Sequence, residues 1–171
     1  MEATQMTRSG GASGSDGLKQ LMAQGLSAMR AGGKTAASAV SEIRQDARNP
    51  QLQQALDRGT QQAQEWARRI DAAIQEVGEQ GTQTDDNPVI EAHTKVSQRI
   101  RQNAPDEQAR DLGIIANGQL ALHYWIAAFG TMREYAQHAG LQQTEQAMAQ
   151  CLDEAKQADE QYTELARQIL G

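Results

Sequence analysis

The chain has 171 residues, a net charge of −6 and a pI of about 5.1, and 4% of its residues are aromatic. This length fits one domain with a single core. The acidic balance, without a basic stripe to displace counterions from phosphates, argues against nucleic-acid binding. We find no run of about 18 apolar residues and no basic leader followed by an apolar segment, so we expect neither a membrane span nor export.

The cysteine content points to a reducing compartment. Cys151 is the only cysteine, so a disulfide within the chain is impossible and we expect a cytoplasmic location. The thiol lies beside the apolar positions of its segment, which favours a small buried side chain over a nucleophile. We expect no catalytic residue, because no Cys, His and Asn spacing supports covalent catalysis.

Apolar residues recur every three or four positions in five segments, which predicts an all-α protein. The segments are 17–48, 50–79, 88–103, 104–139 and 141–170. Four of them are long and the third is short, which predicts a ferritin-like four-helix bundle with a short crossover helix between the second and third long helices. Residues 1–16 are rich in Gly and Ser, so we expect a disordered tail that ends at a helix cap on Asp16, with the bundle spanning residues 17–171.

The first predicted helix has an apolar stripe built mostly of small residues. Its interior holds Gly25, Gly32 and Gly33, and each glycine in a helix interior costs about 1 kcal/mol relative to alanine. Either the helix packs tightly against bulky side chains, or it bends or breaks at Gly32-Gly33. Both interpretations remain open from the sequence.

Residues 111–140 form the longest strongly apolar-periodic segment. They hold one of the two Trp, the only Phe, two of the three Tyr and two of the three His. We expect a site built into the core to be lined by this segment.

Several motifs resemble the YciF/YciE-type ferritin-like family. Residues 123–131 (HYWIAAFGT) are similar to that family's HYEIAAYGT signature, residues 152–166 to its LDEEK…DE…LTELA segment, and residues 49–56 to its NPELKQAL helix start. The resemblance spans roughly residues 30–170 and implies a ferritin-like bundle that forms homodimers. Members of the family are tied to bacterial stress responses and have no settled activity.

The departures from the family pattern concern its inward carboxylates. The family's VEHYE places two carboxylates around a histidine, whereas here Leu122 and Trp125 flank His123. The inner Glu of LDEEK is replaced by Ala155, while Asp159 keeps a carboxylate.

The first and second predicted helices also lack carboxylates that the family pattern has. Gly33 aligns with the Glu of the family's AEKQL segment, and the HLEET segment becomes Gly59 to Ala63. A Trp that buries about 150–250 Å² at a former Glu position needs room opposite. We expect the small residues of the first helix and Gly59 to supply that room, so that the core fills an ancestral metal pocket.

A dinuclear iron or manganese site needs about four carboxylates and two histidines that project into the bundle. The resemblance leaves only His123 and Asp159, and Glu91 stands one residue too close to His93 for a Glu-x-x-His motif. We therefore expect no metal and no cofactor. Asp159 is open to two interpretations: a remnant ligand partnered by His123 or Tyr124, or a solvated residue at the border of the stripe.

These observations predict a non-enzymatic, metal-free bundle that binds a protein partner or itself through its acidic, Gln-rich exterior, as a homodimer and without membrane or nucleic acid. Candidate roles are a stress-associated accessory protein and an immunity- or inhibitor-type binder. The alternative is an enzyme in which His123 and Asp159 hold iron or manganese at a reduced or mononuclear site for oxidase or peroxide chemistry.

Overall fold

The computed structural model of the chain describes residues 11–78 and 84–171, and these residues form five α-helices. The helices are α1 (Gly11–Asp46), α2 (Pro50–Val77), α3 (Pro88–Asn103), α4 (Glu107–Ala139) and α5 (Gln142–Leu170). The long helices α1, α2, α5 and α4 pack around one core, and α3 lies across α1 and α4. The predicted all-α, ferritin-like bundle with a crossover helix is confirmed.

The turn between α1 and α2 is fixed by two side chains. Asn49 caps α2, since its side-chain oxygen accepts the backbone N–H groups of Gln51 and Leu52 at 2.8 and 3.1 Å. The buried carboxylate of Asp111 on α4 accepts the backbone N–H groups of Arg48 and Asn49 at 2.9 and 2.7 Å. Because a buried carboxylate needs such donors, this contact holds the α1–α2 turn against α4.

The helix ends differ from the predicted ones mainly at the start of α1. The helix begins at Gly11 and not at residue 17, so the predicted tail overlaps it over residues 11–16; residues 1–10 lie outside the described residues. Extending a helix needs no new nucleus, so Gly- and Ser-rich residues can join one that is already formed. Helix α2 ends at Val77, where Gly78 takes a φ of 84°, and the predicted last residue, 79, lies outside the described residues.

Helix α1 continues through its glycines, so the alternative of a break at Gly32-Gly33 is wrong. A Cβ atom on Gly25 would lie 2.7 Å from Met132 Cε, and one on Gly32 would lie 2.7 Å from Asn87 Nδ2. A Cβ atom on Gly33 would meet nothing within 4 Å. Two of the three glycines therefore allow a close approach, as the tight-packing interpretation requires.

The core consists of two apolar clusters. The larger is built from α1, α2, α4 and α5 and contains Met22, Leu26, Met29, Trp66, Ile70, Ala73, Val77, Leu122, Trp125, Phe129, Met132, Ala136, Met148, Cys151, Leu152 and Ala155. The smaller one contains Ala47, Leu52, Leu56, Ile114, Ile115 and Leu165. Tyr162 packs against both clusters and joins them.

Helix α4 is long and apolar enough to cross a bilayer if judged by length and composition alone. The central helix of a bundle meets the same criterion, and α4 packs against α1, α3 and α5. We interpret it as the core helix of the bundle.

Candidate functional site

The expected site segment divides its side chains between the inside and the outside of the bundle. Leu122 and Trp125 are 8% and 7% exposed, whereas the side chain of His123 is 64% exposed. Successive residues of a helix are about 100° apart, so a residue next to an inward position points away from the core. His123 therefore lies on the exterior of the bundle and does not face its centre.

Aromatic rings fill the bundle where α2 faces α4. Trp125 stacks on Phe129 with ring centroids 5.6 Å apart, and Trp66 meets Phe129 edge to face at 5.2 Å. Trp66 and Trp125 lie 6.3 Å apart, and Tyr124 meets Trp125 edge to face at 5.1 Å. Such pairs contribute about 0.5–1.5 kcal/mol each beyond their buried area, so this aromatic cluster is a packed core.

A polar network borders the aromatic cluster between α2 and α5. Glu154 Oε2 accepts hydrogen bonds from Gln62 Nε2 at 2.7 Å, Trp66 Nε1 at 2.9 Å and Arg69 Nη1 at 2.6 Å. The side chains of Glu154 and Arg69 are each 22% exposed. The hydrogen bond to Glu154 raises the pKa of the Arg69 guanidinium above its ordinary value. Glu154 is thus fully engaged in joining two helices.

Sequence reasoning missed this network. Gln62, Trp66 and Arg69 lie four and three positions apart, which places them on one face of α2. A polar residue on each side of a core tryptophan on the same face was the available signal. This signal could not be interpreted without the acceptor on α5, which the sequence alone did not identify.

Cys151 is fully buried in the larger apolar cluster. Burial raises the pKa of its thiol, while Arg69 Nη1, which lies 3.6 Å from Sγ, acts in the opposite direction. Because the thiolate is the nucleophilic form, a buried thiol with a raised pKa is a poor nucleophile. This environment favours the structural interpretation of Cys151.

The two candidate metal ligands meet at the surface. His123 Nε2 on α4 lies 3.6 Å from Asp159 Oδ2 on α5. Asp159 Oδ1 lies 3.3 Å from Gln119 Nε2, which also donates to Thr163 Oγ1 at 2.8 Å. The side chain of Asp159 is 20% exposed, so it is neither buried in the core nor fully solvated. Among the described residues, no three His, Cys, Asp or Glu side chains lie close enough to share a metal ion.

The residues expected to make room for Trp125 lie in unlike environments. Ala155 is fully buried in the cluster that contains Trp125, and Ala63 is half-buried. Gly59 is exposed, and a Cβ atom on Gly59 or Gly33 would meet nothing within 4 Å. Trp125 therefore does not pack against the Cβ position of either glycine, and a role for them in making room for it stays a prediction.

The fold and its centre define a ferritin-like helical bundle with an aromatic middle. The chain belongs to the DUF892 family, described as a domain of unknown function, whose model matches residues 17–171.

Three comparisons place the chain among known relatives. It is 23% identical to protein YciF of Escherichia coli strain K12 over 128 residues, which make up 75% of this chain and 77% of that protein. The crystal structure of the E. coli stress protein YciF matches with a TM-score of 0.84 and 21% identity, covering 90% and 96% of the two chains. YcfI from Rhodopseudomonas palustris matches with a TM-score of 0.80 and 22% identity, covering 93% and 98%. The predicted membership of a YciF-type family is confirmed.

Proposed function

We propose that this protein is a non-catalytic, metal-free bundle that works through protein–protein contact, and that its first partner is a second copy of itself. The observation that carries the proposal is an uncharged strip on the outside of α4. We call it the α4 stripe, and it consists of Ala116, Leu120, His123, Ala127 and Thr131.

The α4 stripe runs along one face of the helix. Its residues are exposed and follow each other at intervals of four, three, four and four positions, which keeps them on one side of a helix. Leu120 at its centre is 62% exposed. Residues 112–132 contain no Asp, Glu, Lys or Arg, so about 30 Å of helix is uncharged.

Within residues 11–78 and 84–171, part of the apolar surface of α4 is left uncovered. Only 33% of the residues in the most apolar 18-residue stretch of α4 are buried. Exposed apolar strips of this kind mark contact surfaces, and the centre of a protein–protein interface is depleted of charge.

The net charge of −6 indicates which kind of partner binds the α4 stripe. Both copies carry this net negative charge, and an interface that places like charges opposite each other is costly. The α4 stripe lets two copies approach without that repulsion, and an uncharged strip offers nothing to a strongly charged partner. We therefore propose a homodimer, in the cytoplasm and without nucleic acid.

The centre of the bundle supports a role without catalysis. The aromatic cluster that contains Trp125 occupies the interior of the bundle, and Glu154 is engaged by three donors. The resemblance to the family motifs implies that Trp125 stands at a position where they have a carboxylate. Replacing a buried charge cluster with well-packed apolar groups is often neutral or stabilising. We propose that an ancestral metal pocket has been filled in this way.

The alternative function is a reduced metal site for oxidase or peroxide chemistry at His123 and Asp159. The 3.6 Å separation of these side chains favours it. A hard cation needs more anionic oxygen than one carboxylate supplies, so two donors at the surface make it the weaker proposal.

For the biological role we propose an accessory protein of a bacterial stress response. The support is the likeness to YciF, whose crystal structure is described as that of a stress protein. An immunity- or inhibitor-type binder is the second candidate, since it uses the same non-catalytic surface chemistry.

Sedimentation equilibrium of the purified chain tests self-association. We expect a dimer, and Leu120→Glu weakens its association about 100-fold because it buries a charge in an apolar contact. Leu170→Glu, at a residue 67% exposed at the end of α5, is the matched control and leaves the dimer unchanged. A monomeric wild type, an unaffected Leu120→Glu variant or flotation of wild type with anionic lipid vesicles would overturn the proposed partner.

Elemental analysis of protein expressed with added iron or manganese tests the second part of the proposal. We expect substoichiometric metal in the wild type and no change in His123→Ala or Asp159→Asn. Stoichiometric metal that these variants lose would favour the enzymatic alternative.

A further inference from the structure

Helix α3 is attached to the bundle differently from the other four helices. None of its residues belongs to either apolar cluster of the core. Its buried residues are Ile90, Ser97 and Arg101, of which only Ile90 is apolar. It therefore lies outside the packing that holds α1, α2, α4 and α5 together.

Two isoleucines seat α3 on glycines of the helices beneath it. Ile90 Cγ1 lies 3.1 Å from the position that a Cβ atom on Gly32 of α1 would occupy. Ile100 Cγ2 lies 2.5 Å from the corresponding position on Gly113 of α4. Because glycine lacks a Cβ atom, each isoleucine sits directly against a helix backbone. The seat of α3 is thus the groove between α1 and α4.

Polar contacts also join α3 to the bundle. Asn87, which caps α3, donates from Nδ2 to Ala28 O at 2.9 Å and to Tyr124 Oη at 2.7 Å. His93 Nε2 lies 2.8 Å from Asn117 O. Water can replace every one of these bonds when α3 leaves, so they add little to the difference between the seated and the open helix.

The seat also holds buried polar atoms that make no well-aligned hydrogen bond while α3 is in place. In the described part of the chain, the buried side-chain N and O atoms without a hydrogen-bond partner are Arg101 Nε, Arg101 Nη1 and Asn117 Oδ1. Arg101 is on α3, and Asn117 is the residue that His93 of α3 contacts. The ion-pair partners of Arg101, Glu42 and Asp46, are 70% and 48% exposed. Opening would hydrate all three atoms and leave both carboxylates in water, and it would break the 3.3 Å contact between Arg101 Nε and Asp46 Oδ2.

We propose that α3 is a detachable cover that opens and recloses as one unit while the other four helices stay folded. No member of either apolar cluster moves with α3 when it opens, because α3 contributes none of their residues. The event exposes the α1–α4 groove with its two glycine positions. Such partial opening lies well below global unfolding in free energy.

Native-state hydrogen exchange of the full chain in increasing urea tests the proposal. We expect the hydrogen-bonded amides of α3 to be protected about 100-fold less than those at the centre of α4 and to share one weakly urea-dependent opening. Protection equal to that of α4 would overturn the proposal. A gradient along α3 would overturn it as well, because gradual fraying from one end is not opening as a unit.

A disulfide staple provides the decisive variant. The Cβ position on Gly113 lies 4.0 Å from Ile100 Cβ, within the range of about 3.5–4.5 Å that a disulfide needs. In oxidised Ile100→Cys/Gly113→Cys, the protection of α3 rises to that of α4, and reduction restores the low value. If oxidation leaves the protection of α3 unchanged, the cover does not open at this end and the proposal is wrong.

Ile90→Ala tests the proposal even if the double-cysteine variant does not fold. It removes the only buried apolar side chain of α3. We expect about tenfold lower protection in α3, with the amides of α2, α4 and α5 unchanged. A parallel loss of protection in all helices would show that α3 is part of the cooperative core and would overturn the proposal.

Discussion

Glu154 on α5 accepts the indole N–H of Trp66 on α2 at 2.9 Å, and this bond ties the aromatic centre of the bundle to its surface. A buried tryptophan needs a partner for its N–H group. Here the partner also binds Arg69 and Gln62. One carboxylate thus fixes the orientation in which Trp66 meets Trp125 and Phe129.

We expect Glu154→Ala to lower the free energy of unfolding by about 2–3 kcal/mol. The substitution leaves a half-buried guanidinium on Arg69 and the indole N–H of Trp66 without their acceptor, and unpaired buried donors are costly. Urea unfolding followed by circular dichroism measures the change. Glu164→Ala, which breaks the exposed pair with Arg167, is the control and changes stability by less than about 0.5 kcal/mol. Equal effects of the two variants would show that the network contributes no more than a surface ion pair.

Two glycine-to-alanine substitutions distinguish a position with free space around the added methyl group from one where a neighbouring side chain fills that space. Gly59→Ala raises the stability by about 1 kcal/mol, since the added methyl group meets nothing and alanine favours the helix. Gly113→Ala lowers it by about 1 kcal/mol, because overpacking against Ile100 outweighs the helix preference. Thermal and urea unfolding of both variants check the signs. The Ile100→Ala/Gly113→Ala variant recovers part of the loss if the contact with Ile100 is its cause.

The sequence specified those parts of the fold that depend on local chemistry. The predicted starts at residues 50 and 88 agree with α2 and α3, and each follows an Asn and begins with Pro, which is a local signal for the start of a helix. The apolar period predicted four long helices and a short one. It did not predict how each helix is rotated about its axis, and this rotation decides whether Gly59 faces the core or water.

The same limit applies to the candidate site. His123 and Leu122 lie about 100° apart around α4, so which of them faces the core depends on the rotation of the helix about its axis. The partner of Trp66 was equally hidden, because Glu154 lies 88 residues away in the sequence. Only tertiary packing brings such distant residues together.

We expect the stability to fall in alkaline solution partly through Tyr162. Burial raises the pKa of Tyr162 to about 12 from an ordinary value of 10.0. The folded chain therefore holds this proton more tightly than the unfolded chain. Its contribution to the free energy of unfolding is complete below about pH 10. This contribution, about 2–3 kcal/mol in total, is lost as the pH rises towards 12.

Urea unfolding at several pH values between about 8 and 11 measures this dependence. Tyr162→Phe flattens the curve above about pH 10, since it removes the titrating group. Burial raises the pKa of Cys151 in the same sense, so a residual decline persists in this variant and is removed by adding Cys151→Ala. A wild-type curve that stays level above pH 10 would contradict the assignment.

The guanidinium of Arg101 is buried, although its ion-pair partners Glu42 and Asp46 are exposed. Removing one member of a buried pair usually destabilises a protein, because the other charge stays buried. Here the remaining carboxylates of Glu42 and Asp46 stay in water, and the two unpartnered N–H positions of Arg101 disappear. We therefore expect Arg101→Met to leave the stability unchanged or to raise it by up to about 1 kcal/mol. Glu42→Gln keeps the buried guanidinium of Arg101 but removes one of the two carboxylates that pair with it. We expect this variant to lower the stability by about 0.5 kcal/mol. Urea unfolding of both variants decides the matter: a loss above about 2 kcal/mol in Arg101→Met would mean that the ion pairs hold α3 in place.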